Sequence, residues 1–296
     1  MKKSLVALVT VLYKSAEVLE PFIKSLVNQT NQDWFLYVVD NNEDNSDKDE
    51  FYKLASKHDF KNFEFISNYR NLGISKGNNQ GIEKSLNNEF EYTLLLNNDI
   101  YFDQNTLELA LKYSHENNIN ILVPKIYYAG TNKIWMAGGT ISKLKGTTIH
   151  RGDTQEDQKQ FNKIEITEYA PTCFMLINNE VFKKIGLMDE RFFVYYDDTD
   201  FVFRLNKVGY KIIYFPDILV HHMVSFSTGG SESIFTIYQG NKNRIIFIRK
   251  NFNILEKYFS LSFFLLTRII KYFKYNSTQR QKMIEAIRDG FKIKLR

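Results

Sequence analysis

The sequence predicts an α/β fold: a mostly parallel, doubly wound central sheet flanked by helices, then a basic helical extension. Three observations carry this prediction. Short apolar runs rich in β-branched residues alternate with segments of helical spacing, as in sheets buried on both faces. Polar clusters follow successive apolar runs. The last part of the chain loses the strand pattern and turns helical and cationic.

Taken in order, Leu5–Leu12 reads as a buried first strand. Ser15–Gln29 places Leu19, Phe22, Ile23, Leu26 and Val27 at helical spacing, and Phe35–Val39 is a second apolar run. Strand, helix, strand implies a right-handed parallel crossover. A second unit follows: a helix near Lys48–His58, a strand at Phe63–Ser67, a helix near Lys76–Leu86 and a strand at Tyr92–Leu96. Residues 125–170 are less patterned. Met136–Thr140 reads as a turn and Arg151–Lys163 as a mobile polar loop. Tyr169–Asn178 is apolar again, Thr199–Val208 reads as a helix, and the chain from Phe252 onward is helical and basic.

With 296 residues, 44% hydrophobic and 25% charged, the chain fits one large or two modest folded domains. The single cysteine, Cys173, rules out an internal disulfide and suits a reducing cytosol. The apolar run after Met1 is short for a secretory signal, and no run reaches the ~18 residues of a membrane span. A cytoplasmic protein is therefore expected. The net charge is +5, and its excess lies late: residues 241–296 carry fourteen Lys or Arg against three Asp or Glu.

The clearest chemical signal is Gly186–Arg204, where Asp197, Asp198 and Asp200 sit among Phe192, Phe193, Tyr195, Tyr196, Phe201 and Phe203. Burying carboxylates among aromatics costs free energy unless cations or donors meet them, and like charges raise one another's pKa. That environment suits a general base. The competing reading is a capping or salt-bridging aspartate at a helix start. Three polar clusters, Asp40–Asp44, Asn68–Gly73 and Asn97–Ile100, follow successive strands and are expected to meet at one sheet edge, where α/β folds bind ligands. Turn formers alone would also produce such clusters.

These residues resemble the family-two glycosyltransferases with the GT-A fold, in particular the rhamnosyltransferase-like branch of bacterial surface polysaccharide assembly. Val9–Tyr13 is similar to the opening strand, and Val38–Asn42 to the segment whose Asp binds the base. Asn71–Gly81 follows that branch's NLGxxxGNNxG signature. Leu94–Asp99 stands where the family has its metal-binding DxD. Gly186–Arg204 matches the segment with the catalytic base; His222–Gly230, Tyr238–Lys250 and Glu285–Lys292 match later motifs.

The resemblance implies an inverting transfer from a nucleotide-diphosphate sugar to an acceptor hydroxyl. It implies Asp198 as base, with Asp197 in place of the family's Glu, and Asp200 orienting Arg204 or a backbone amide. It implies Asp99 and His222 as ligands to Mg²⁺ or Mn²⁺, the His222-x-x-Ser225-x-Ser227 spacing favouring His222 over His221. The usual first acid of the DxD is here Asn97, which removes one charge. It implies a donor site of Asp40, Thr10, Leu12, Tyr13, Asn42, Gly77, Asn79, Asn97 and Asn98, although glycines there also permit tight helix packing. Lys14 stands where the family has Asn, so that role does not carry over.

The implied catalytic domain spans residues 1–250, with a nucleotide-sugar half at 1–100 and an acceptor and catalytic half at 101–250. Residues 251–296 form the basic amphipathic region. It reads either as a helix lying on an anionic membrane or as a helix packed on the domain or in a homodimer. The first donor expected is dTDP-rhamnose, with a UDP-hexose as runner-up, and the acceptor is a glycan, lipid-linked. Two rival classes are weaker. A nucleotidyltransferase would show an early Gly-rich, Arg- and Lys-bearing signature, and a nucleic-acid or membrane binder would not cluster acids at 197–200.

Overall fold

The computed structural model describes residues 6–224 and 232–295. The first half alternates as expected. Strand β1 (Val6–Leu12) leads through a short 3₁₀ turn to α1 (Leu19–Val27), then β2 (Trp34–Asp40), α2 (Ser46–Lys57), β3 (Phe63–Ser67), α3 (Ile74–Asn87) and β4 (Tyr92–Leu96). These strands are parallel in the order β3-β2-β1-β4. The register sets Leu12 beside Asp40 and Asp40 beside Ser67, so the polar clusters after these strands share one edge.

After β4 the chain makes β5 (Ile100–Phe102), α4 (Thr106–Glu116), β6 (Ile121–Tyr128), β7 (Ile134–Met136), β8 (Gly139–Ser142), β9 (Thr147–His150), β10 (Glu165–Thr167) and β11 (Phe174–Asn178). Helices α5 (Asn179–Ile185) and α6 (Asp197–Val208) precede β12 (Ile212–His222). Beyond β4 the sheet is mixed: β11 lies antiparallel between β4 and β6, while β12 runs parallel to β6. The less patterned stretch 125–170 thus holds short strands. The expected turn narrows to Ala137 and Gly138 between β7 and β8. The polar loop is pinned: Asp157 accepts from the buried Lys125 at 2.9 Å and from the Tyr127 hydroxyl.

Strands β1, β4 and β11 are almost wholly buried, and Phe22, Trp34, Phe51, Phe174 and Phe201 fill the space under the helices. Each such side chain contributes roughly 1.5–3 kcal/mol by leaving water. Helix α3 lies so close to β1 that a Cβ on Gly81 would stand 2.3 Å from a Val9 methyl, and one on Gly77 2.8 Å from Val11. These glycines allow sheet and helix to touch.

The chain closes with α7 (Ile234–Asn251), α8 (Ile254–Lys274) and α9 (Ser277–Lys292). Asn253 and Asn276 start the last two with capping boxes, each side chain accepting from the third helical amide at 3.0 Å. Helix α9 packs along α7. Among the described residues no helix is long and apolar enough to cross a membrane.

Candidate active site

The acidic segment is held from three sides. Helix α6 begins two residues earlier than expected, so Asp197, Asp198 and Asp200 occupy its first turn, where the helix dipole favours negative charge. Before it, Tyr195 and Tyr196 have φ of 63° and 66°. Two successive bulky residues in the left-handed region cost about 1–3 kcal/mol each, and such strain clusters at functional sites. The turn persists because Asn243 of α7 donates to the carbonyls of Val194 and Tyr195 at 2.8 and 3.0 Å. From the other side, Ile74 N–H donates to Phe193 O at 2.7 Å and the Ser75 hydroxyl to Phe192 O at 2.7 Å.

The three acids differ in surroundings. Asp200 is fully buried and accepts from Arg204 Nε at 3.0 Å, Lys250 Nζ at 2.8 Å and Asn251 Nδ2 at 2.8 Å. The expected Asp200–Arg204 contact is therefore present. Lys250 also reaches Asp189. Burial alone would raise the Asp189 carboxyl, but bonds from Arg191 and Lys250 hold it well below the usual carboxylate range. Asp197 is buried, and burial together with the neighbouring Asp198 pushes its carboxyl up to about 8.

Asp198 lines an open cavity of about 600 Å³. Tyr169 donates its hydroxyl to one carboxylate oxygen, and Thr199 donates its amide, at 2.6 Å, and its hydroxyl, at 3.1 Å, to the other. The residue in the N-cap position is Tyr196, whose side chain makes no capping bond. Asp198 lies one residue inside the helix and accepts the first-turn Thr199 amide, while its carboxylate is oriented at a cavity wall. Burial first, then the Asp198 charge, pushes the Tyr169 phenol well above its ordinary value, so it stays a donor.

Across the same cavity lie Asn97, Asp99 and His222. Antiparallel pairing of β5 with β12 sets His222 opposite Ile100, next to Asp99. His222 Nε2 stands 3.1 Å from Asp99 Oδ1, a close approach without hydrogen-bond alignment, since that buried oxygen has no donor among the described residues. A buried carboxylate oxygen left without a partner beside an imidazole nitrogen is what a bound cation would satisfy. The carboxylate oxygen suits Mg²⁺ or Mn²⁺, and the imidazole adds a nitrogen donor that first-row divalent ions accept. No group of three candidate ligands exists among the described residues. Such an ion would therefore share its remaining positions with ligand and water, as Mg²⁺ ordinarily does. Alternation along β12 sends His221 away, stacked on Tyr101 with ring centroids 4.7 Å apart. Of the two, His222 is the one beside Asp99. Ser225 and Ser227 lie outside the described residues.

The remaining residues expected to bind donor are spread more widely. Asp40 is buried and burial raises its carboxyl; Asn42 donates backbone and side-chain N–H to its Oδ1 at 3.0 and 2.9 Å. Thr10 and Leu12 are fully buried within β1, while Tyr13 is partly exposed. Asn98 spends its amide on Val11 O and the Ser15 hydroxyl, at 3.0 and 2.9 Å. Gly77 packs on Val11. Asn79 latches α3 to the approach to the acidic segment, donating to Met188 O and accepting from Met188 N, each at 3.0 Å.

Sequence reasoning missed four positioning residues. Asp47 is fully buried and accepts from Ser15 N, the Ser15 hydroxyl, Ala16 N and Asn42 Nδ2. It lies in an Asp- and Asn-rich run where no single acid stands out. Tyr169 and Trp135 carried no motif of their own, and Asn243 lay in the Tyr238–Lys250 motif without an assigned role. Trp135 lines the cavity edge-on to His222, with ring centroids 4.5 Å apart.

Residues 7–186 match the family description Glycosyl transferase family 2. The chain is 25% identical over 244 residues to the low-salt glycan biosynthesis hexosyltransferase Agl10 of Haloferax volcanii, covering 81% of this chain and 74% of that protein. It is 26% identical over 193 residues to the dTDP-rhamnosyl transferase RfbF of Shigella flexneri, covering 65% and 61%. Its fold aligns with the mannosyltransferase PcManGT of Pyrobaculum calidifontis, solved with GDP-Man and Mn²⁺, at a TM-score of 0.58 and 11% identity, covering 97% of this chain and 86% of that one.

Proposed function

Because the chain belongs to glycosyl transferase family 2, we propose that it transfers a sugar from a nucleotide-diphosphate donor to an acceptor hydroxyl with inversion at the anomeric carbon. The carrying observation is one cavity with an oriented carboxylate, Asp198, on one wall and the Asp99–His222 pair on another. Asp198 takes the acceptor's hydroxyl proton as that oxygen bonds to the anomeric carbon. The bond from this carbon to the diphosphate oxygen breaks on the opposite face. Tyr169 and Thr199 hold the carboxylate in place for that proton.

Asp99 and His222 would hold Mg²⁺ or Mn²⁺, which when bound offsets the negative charge of the departing diphosphate. The solved PcManGT complex with GDP-Man and Mn²⁺ supports a cation and a nucleotide sugar together. Asp40 accepts from the base; its bonds to Asn42 use only Oδ1, which leaves Oδ2 for a ligand N–H. Tyr13 borders that site, with Thr10 and Leu12 beneath it.

The donor is dTDP-rhamnose, supported by the Asn71–Gly81 signature and by the likeness to RfbF. The likeness to the hexosyltransferase Agl10 favours a UDP-hexose, galactose or glucose, as the second reading. The acceptor is a lipid-linked glycan in surface polysaccharide synthesis, met at the cytoplasmic face of the membrane. Incubation with a panel of nucleotide sugars, with and without Mn²⁺, tests this. Metal-stimulated release of a nucleoside diphosphate with one donor supports the reading; release of pyrophosphate, or of nothing with any donor, overturns it.

A further inference from the structure

Helix α8 carries one face with no partner among the described residues. Ile254, Leu255, Tyr258, Phe259, Leu266, Ile269, Ile270 and Phe273 are all more than half exposed, Phe259 at 68% and Phe273 at 76%. At 100° per residue these positions fall within one side of the helix, and no charged residue interrupts them. The opposite side is anchored. Ser260 and Phe264 are buried, and Arg244 and Arg268 each lie 5.1 Å from the Phe264 ring. Arg268 also donates to Asn241 at 2.8 Å, and Lys143 pairs with Glu256 at the start of the helix. The apolar stripe is thus a fixed surface of about 30 Å at 1.5 Å per residue. Its exposure is not explained by packing within the chain.

The charge around it separates the two occupants that such a face could take. Residues 251–296 hold ten Lys or Arg against three Asp or Glu, leaving 29 against 31 for the rest of the chain. All of the protein's positive excess therefore lies in the segment that forms this helix and α9. Lys257 and Lys274 flank the stripe and make no ion pair among the described residues, and Arg280 lies beside Tyr272 at its edge. A second copy of the chain docking α8 to α8 would bring two such cationic regions together, at an electrostatic cost. An anionic bilayer offers the complement: acyl chains for the stripe and headgroups for the lysines, each basic residue near the surface contributing about 1 kcal/mol. No described helix can span a bilayer, so α8 would lie along one.

We infer that the outward face of α8 docks the protein flat on an anionic membrane surface. The inference concerns the helix alone and stands or falls apart from the sugar-transfer reading. The test is flotation of the full chain with vesicles of phosphatidylcholine, with and without phosphatidylglycerol. Binding to the phosphatidylglycerol vesicles, at least tenfold weaker in Leu266→Glu/Ile270→Glu and several-fold weaker in Lys257→Gln/Lys274→Gln, is expected. Both positions of the first pair are exposed, so circular dichroism should match the wild type. Equal binding to neutral vesicles would overturn the electrostatic half. A salt-independent dimer that the first pair dissolves, with no vesicle binding by the wild type, would overturn the whole.

Discussion

Two acidic clusters sit at the top of this sheet, and they differ in what their oxygens touch. At the β1–β2 edge, Asp47 is saturated by amides and hydroxyls of its own chain, and Asn42 and Asn98 are equally occupied. In the cavity, Asp99 keeps a buried oxygen without a donor among the described residues, and Asp198, held by Tyr169 and Thr199, lines open space. The first cluster shapes backbone; the second is left ready for something absent from the chain. Residue type does not distinguish them, since both use Asp and Asn. The unsatisfied oxygen on Asp99 and the open cavity beside Asp198 do.

Substitutions can break that contrast. Asp198→Asn should cost the most, a loss of transfer of about 10³-fold with donor affinity nearly unchanged; full activity would remove Asp198 as the base. Asp47→Ala should leave transfer chemistry intact in the folded fraction but lower stability by about 2–4 kcal/mol, because four donors lose their acceptor. Urea unfolding reads this, and an unshifted midpoint would place Asp47 among ligand-facing groups instead. Asp99→Ala should weaken Mn²⁺-dependent donor binding at least roughly tenfold, the loss that even an outer partner of a metal ligand causes. Calorimetry with and without chelator measures it, and equal affinity in both would end the cation assignment.

A last effect concerns pH. The Asp197 carboxyl is raised from 3.8 to about 8 by burial and by Asp198. A carboxyl raised on folding adds stability below its unfolded pKa and loses it as pH climbs toward the folded value. Wild-type melting temperature should therefore fall between about pH 4 and about pH 8, and Asp197→Asn should flatten that slope. An unchanged slope in the variant would assign the pH dependence to another group.

Much of the fold was legible in the sequence because buried parallel strands write themselves as continuous apolar runs, as Tyr92–Leu96 does to the residue; the half-buried edge strand Phe63–Ser67 matches too, through the alternation of Phe63 and Phe65 with Glu64. Residues 125–170 were opaque because β7, β8, β9 and β10 span only three or four residues each, too short for a period to show. At the site, Asp198, Asp99 and His222 were found through ordered motifs, and the structure brings them to one cavity. Gly77 and Asn79 were expected at the donor, yet one makes room for Val11 and the other ties α3 to Met188. A motif reports that residues matter together; only packing separates a ligand contact from a brace. Asp47 and Tyr169 act through long-range hydrogen bonds, which leave no local spacing to read.

Gly73 sits where those two clusters are joined. Its carbonyl accepts from Asn41, just past Asp40, and a Cβ there would lie 2.4 Å from Phe193 O, just before the acidic segment. The next amide, Ile74 N–H, bonds that same Phe193 oxygen. The spacing between the Asp40 edge and the Asp198 wall is therefore gauged by a close backbone joint, supported by the Ser75 and Asn79 bonds, rather than by flexible loops. For an engineer this makes the molecule modular. The loop after β1 can be exchanged without retuning the distance to the carboxylate, provided Gly73 and its partner Asn41 are kept.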